Sequence, residues 1–174
     1  MAAPIIPHTK PEKHLLVFCA FLVFFSVILD QATKLITQGT MALNESVVLI
    51  PGWFNLTYVR NPGAAWSLLA GFPWLLLGFG VTAGILILVF FRRWSEGFPE
   101  RYCALALIEG GIIGNSIDRL WYGSVIDFFH VHYYDVYHYP VFNIADCAIC
   151  IGVGIFILSN CLRKSVPSGD AEKE

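Results

Sequence analysis

Hydrophobic residues along the chain gather into four long runs separated by polar or basic stretches. Residues 15–29 are apolar apart from Ser26 and stop at Asp30. Residues 68–91 carry no charge and stop at Arg92-Arg93. Residues 102–122 are apolar in outline but broken by Glu109, Asn115, Asp118 and Arg119. Residues 141–161 hold Asn143 and Asp146 early, and Arg163-Lys164 follow them. A membrane-spanning helix needs about 20 mostly apolar residues, so the pattern predicts an α-helical polytopic membrane protein with four transmembrane helices. Between the first two runs, Phe54, Leu56 and Tyr58 alternate with Asn55, Thr57 and Val59 behind a Pro51-Gly52 turn. Period two predicts a strand, with residues 47–50 as its partner in a small sheet within the first outer loop. The expected organisation is an N-terminal extension (1–14), a four-helix membrane unit (15–162) and a polar tail (163–174). Outer loops fall at about 39–67 and 123–140.

Composition supports a bilayer as the solvent. Apolar residues make up 56% of the 174 and charged ones 14%, against about 25% charged in soluble domains. A net charge of −2 gives no reason to expect a nucleic-acid partner. The basic residues set the orientation. Lys10 and Lys13 precede the first run, Arg92, Arg93 and Arg101 join the second to the third, and Arg163, Lys164 and Lys173 follow the fourth. Short basic segments stay cytoplasmic, so both termini are expected there and both outer loops on the far side. A cleavable signal peptide is the alternative for the first run, but no small-x-small cleavage site follows it.

Ionisable residues inside membrane spans are costly and mark function. Asp30, Lys34, Asn115, Asp118, Arg119, Asp127, Asn143 and Asp146 all fall towards the outer ends of the runs, and Glu109 alone lies deeper. Asp127 and Asp146 flank one outer loop, so antiparallel helices bring them to the same depth. Two adjacent carboxyl groups share a proton, and such a pair can act as base on water and acid on a leaving amine. The alternative is that each Asp caps a helix or pairs with Arg119 or Lys34. No His-Glu-x-x-His or Gly-x-Ser-x-Gly motif occurs. His130, His132 and His138 lack a recognised ligand spacing, so no metal or cofactor is expected. Cys147-x-x-Cys150 sits in an apolar run where thiols behave as small hydrophobes. Gly80-x-x-x-Gly84 and Gly110-x-x-x-Gly114 suit close helix packing. A small transporter or proton-coupled channel subunit is the rival reading, but it predicts polar groups spread through the membrane depth.

Five blocks in order resemble the lipoprotein signal peptidase (signal peptidase II) family, bacterial inner-membrane aspartyl proteases. They begin with Asp30-Gln31-Ala32-Thr33-Lys34 and Asn61-Pro62-Gly63-Ala64-Ala65-Trp66-Ser67. Next comes Gly110-Gly111-Ile112-Ile113-Gly114-Asn115-Ser116-Ile117-Asp118-Arg119. Gly123-Ser124-Val125-Ile126-Asp127-Phe128 and Phe142-Asn143-Ile144-Ala145-Asp146 complete the set. The resemblance implies that Asp127 and Asp146 form a catalytic dyad, with Asp30, Lys34, Asn61, Asn115, Asp118, Arg119 and Asn143 around it. It further implies a multi-pass enzyme of the inner membrane, acting as a monomer near the periplasmic face. The implied substrate is a prolipoprotein whose cysteine carries diacylglycerol, cut just before that cysteine within the surrounding membrane lipid. Trp66 departs from the Phe more usual in the family.

Overall fold

The computed structural model describes residues 11–64 and 68–163. Ala65, Trp66 and Ser67, the first ten residues and the tail from residue 164 lie outside the described residues. The elements run α1 (Lys13–Thr40), β1 (Ser46–Ile50), β2 (Phe54–Asn61), α2 (Pro73–Ser95), α3 (Pro99–Tyr122), β3 (Val125–Tyr133), β4 (Tyr137–His138) and α4 (Ile144–Leu162). Three helices, α1, α2 and α4, are long and apolar enough to cross a membrane. They carry exposed rows of large hydrophobics, Phe21, Phe24 and Ile28 on α1 and Ile85, Leu88 and Val89 on α2 among them. Such continuous apolar surface marks a lipid contact rather than a water-facing one. The fourth helix, α3, bears the polar residues and packs against each of the other three.

Local chemistry sets the helix ends. Pro73 and Pro99 occupy the first turns of α2 and α3, where the missing N–H costs nothing. Gly123 ends α3 in the left-handed region at φ 65°, its N–H donating to Arg119 O at 3.0 Å. Two residues later β3 begins. The α2–α3 turn and the end of α4 share the end of the bundle away from the sheet. There Arg101 donates to Ser159 Oγ at 3.0 Å and pairs with Glu96, and Arg163 pairs with Glu100.

The sheet is larger than expected, and the first helix runs on past its apolar stretch. That helix continues ten residues past Asp30 to Thr40. Asp30, Lys34 and Thr37, at i, i+4 and i+7, are all buried, so the apolar run gives way to a polar face that still points inward. The stretch 123–140 is not irregular, because β3 and β4 within it extend the sheet. The sheet is antiparallel in the order β1-β2-β3-β4, and so is not confined to the first outer segment. Val125, Ile126, Asp127 and Phe128 are buried in succession. A strand covered on both faces loses the period-two signal.

The interior is polar at one node. Lys34, 1% exposed, lies 2.7 Å from Asp30 Oδ2 and 2.8 Å from Asp118 Oδ2. The carboxylates accept further bonds from Ala145 N (2.9 Å), Ile126 N (3.0 Å) and the Gln31 amide. The node thus ties α1, α3, α4 and β3 together. Buried charge persists only when paired and hydrogen-bonded, and both conditions hold here. Glu109 is different: it is buried opposite Gly84 of α2, and its Oε2 has no partner among the described residues.

Helices α3 and α4 approach to backbone contact. A Cβ on Gly152 would stand 2.6 Å from Ala104 O, and one on Gly111 would strike Ala145 O. Gly110 and Gly114 instead face Ser26 and Asp30 of α1. Two outcomes follow for thermal unfolding in detergent. Gly152→Ala lowers stability by about 1–3 kcal/mol by forcing the pair apart, whereas Gly154→Ala on the same helix, with open space around it, leaves it unchanged or slightly raised. Lys34→Met strands two buried carboxylates and costs about 3–5 kcal/mol; a midpoint equal to the parent's would show that the node is not a structural tie.

Candidate active site

The capping box at the start of α4 fixes the first of two carboxylates. Asn143 is the N-cap, its Oδ1 accepting from Asp146 N at 2.9 Å while Asn143 N donates to Asp146 Oδ2 at 3.2 Å. This reciprocal arrangement satisfies two N–H groups at the helix start and locks Asp146 in the first turn. Because Asn143 Oδ1 must accept, its amide nitrogen points the other way, reaching Asp127 Oδ1 at 2.7 Å. One side chain therefore bonds to both aspartates' residues.

Asp127 lies on β3 opposite Val59, and Asn61 of β2 lies opposite Val125. Residues two apart share a strand face, which makes Asn61 the diagonal neighbour of Asp127. Asn61 Nδ2 donates to Asp127 Oδ2 at 3.1 Å. Asn115 of α3 serves Asp146: its Nδ2 donates to Oδ1 at 2.8 Å. The Asn115 amide is oriented from behind, since Oδ1 accepts from Lys34 Nζ and Asn143 Nδ2, each at 3.1 Å. Each carboxylate oxygen thus holds one donor and keeps a second lone pair free for a ligand.

Asp127 and Asp146 line one cavity of about 180 Å³, together with Asn61, Asn115 and Arg119. Its remaining wall includes Val125, Phe142, Ile149 and Cys150. Burial, and then the nearby charge of Asp146, push the Asp127 carboxyl up to about 7. A carboxyl in that position is part-protonated at neutral pH, the state required of a group that gives and takes protons.

All nine residues singled out in the sequence meet around this cavity or the node behind it. Arg119 does not pair with Asp118: it donates to Gly63 O at 3.3 Å and to Asn115 O at 3.5 Å. Neighbours in a helix point to different faces, which sends Asp118 inward to Lys34 and Arg119 to the cavity. Asp146 also fills the cap role set out as an alternative, which does not remove it from the cavity. Sequence reasoning gave no role to Gln31, whose amide links Asp30 (3.2 Å), Asp118 (3.0 Å) and Gly114 O (3.1 Å); its position within the first motif block was the available signal. It also missed Tyr139, Pro140 and Val141 as cavity walls. His130, His132 and His138 stack with ring centroids 5.1–5.5 Å apart. Among the described residues, no group of three or more His, Cys, Asp or Glu is arranged to hold a metal ion.

Residues 22–162 match the family model described as signal peptidase (SPase) II. The chain is 46% identical over 138 residues to the lipoprotein signal peptidase of Geobacter sulfurreducens, covering 77% of this chain and 85% of that one. It is 40% identical over 136 residues to the lipoprotein signal peptidase of Syntrophotalea carbinolica, covering 76% and 84%. Its fold superposes on a solved bacterial membrane enzyme, determined by the in meso method, with a TM-score of 0.81 at 32% identity, covering 95% of this chain and 99% of the other. With a matched family model spanning most of its length, relatives of this similarity and the same fold, the chain belongs to the signal peptidase II family of membrane proteases.

Proposed function

We propose that this protein is an intramembrane aspartic endopeptidase that removes the signal peptide from prolipoproteins, cutting just before a diacylglyceryl-modified cysteine. The observation that carries the reading is the facing of Asp127 and Asp146 on one cavity, with Asn143 bonded to both residues. In this reading α3 is the fourth span, both termini are cytoplasmic, and the sheet stands at the periplasmic face of the inner membrane. Residues 15–162 form the peptidase unit, which works as a monomer among membrane lipids. The substrate's acyl chains enter sideways from the bilayer, and its polar mature chain remains outside.

Chemistry proceeds with one proton on the pair, held by Asp127. Asp146 takes a proton from a water held between the carboxyls, and the water oxygen bonds to the scissile carbonyl carbon. Asp127 gives its proton to the carbonyl oxygen as negative charge develops there. On collapse, Asp146 protonates the cysteine amide nitrogen, the C–N bond breaks, and a hydroxyl proton of the intermediate returns to Asp127. The pair ends with the single proton it began with. Asn61, Asn115 and Asn143 orient the carboxylates, while Asp30, Lys34 and Asp118 hold Asn115 and the helices in place. Arg119 supplies a cation at the cavity wall.

Incubation of the purified protein with a lipidated pre-lipoprotein releases a signal peptide. Asp127→Asn and Asp146→Asn each lower that rate by at least roughly 10²- to 10⁴-fold, the contribution of general acid–base catalysis. Asn keeps one accepting oxygen and turns an NH2 towards the other donor, so each variant loses one of the two bonds at that position; its thermal midpoint falls by several degrees while the protein stays folded. Near-parental turnover in either variant refutes the dyad.

A further inference from the structure

A second cavity, of about 530 Å³, opens beside the first. The two share Asn61, Asp127 and the stretch from Tyr139 to Val141, so Asp127 stands at their junction. A peptide bond held at the dyad therefore has one flank in each. Beyond the shared residues, the first cavity continues along Ile149 and Cys150 of α4, an apolar helix. The second continues along the sheet, past Val59, Arg60, His130 and His138. An apolar signal peptide suits the first direction and a polar mature chain the second.

The second cavity has a definite electrostatic character. Arg60 is its one permanently charged cation, and Asp127 is the sole carboxylate among its described lining residues. Arg60 is exposed and held in place by two aromatic residues. Its Nε donates to Tyr58 Oη at 3.1 Å, and its guanidinium carbon sits 4.8 Å over the Tyr122 ring. Neither terminal nitrogen has a hydrogen-bond partner among the described residues. A guanidinium pinned along one edge, with its other donors free, is arranged to accept a planar carboxylate. His130 and His138 bond to each other at 3.0 Å and add no negative charge.

We propose that this cavity receives the first residues of the mature chain after the cut, and that Arg60 makes the enzyme favour an acidic side chain there. This rests on the protease reading above, and it adds a selectivity on the far side of the scissile bond. A headgroup phosphate would offer similar chemistry. The mature chain is favoured because the cavity is continuous with the dyad through Asp127 and Asn61.

The test uses the full-length protein in lipid nanodiscs and three lipidated pre-lipoprotein peptides. These differ only in Asp, Asn or Lys at the second residue of the mature sequence. The parent cleaves them in the order Asp, Asn, Lys, with kcat/KM for Asp roughly tenfold above Lys, as expected for a charge-assisted bond in a partly screened site. Arg60→Gln brings the three within about twofold, Arg60→Glu reverses the order, and Arg60→Lys keeps the acidic preference. The same peptides binding to Asp127→Asn follow the parent's order whether or not bonds are cut. If that binding order holds while Asp127→Asn cleaves normally, the dyad reading fails and this one stands. Equal kcat/KM for all three peptides in the parent, or an order that Arg60→Gln leaves unchanged, overturns the proposal. So does a loss in Arg60→Gln that is the same for every peptide and vanishes in discs of neutral lipid, which would assign Arg60 to a headgroup phosphate.

Discussion

The junction of α1, α3, α4 and β3 is arranged around one buried ammonium group. Lys34 is surrounded by Asp30, Asp118 and the Asn115 carbonyl oxygen within 3.1 Å. A lone charge so placed would be prohibitively costly, and a pair with unmet bonds only somewhat less so. The structure meets that constraint by recruiting donors from every neighbouring element, the Ala145 and Ile126 amides and the Gln31 side chain. Each recruited donor fixes the position of the element it comes from.

The consequences reach the cavity through amide orientation. Lys34 can only donate, so Asn115 must present its oxygen to Lys34 and its nitrogen to Asp146. Asp146 N can only donate, so Asn143 must present its oxygen there and its nitrogen to Asp127. Two amides, each with a single satisfactory orientation, thereby place two carboxylates, one from a helix and one from a strand. Geometry at the candidate active site is set by the fold's polar interior, with little freedom left to the site itself.

Much of this was legible in the residues. The four helices follow from apolar runs, and of the out-of-place polar residues Asn115, Arg119, Asp127 and Asp146 line the cavity while Asp30, Lys34 and Asp118 form the node. What escaped has physical reasons. β3 was hidden because a strand covered on both sides shows no alternation. Gln31 carries no charge, so nothing in composition marked its bridging role.

In the proposed mechanism Asp127 and Asp146 are coupled across one cavity and share a proton. Isotope-edited infrared titration of the protein in nanodiscs reads the protonation of Asp127 directly. With a shared proton the midpoint lies at about 7 in the parent, and is still raised by burial but distinctly lower once Asp146→Asn removes the neighbouring charge. A midpoint that stays the same in that variant would mean that the two carboxyl groups do not sense each other, and would contradict the dyad.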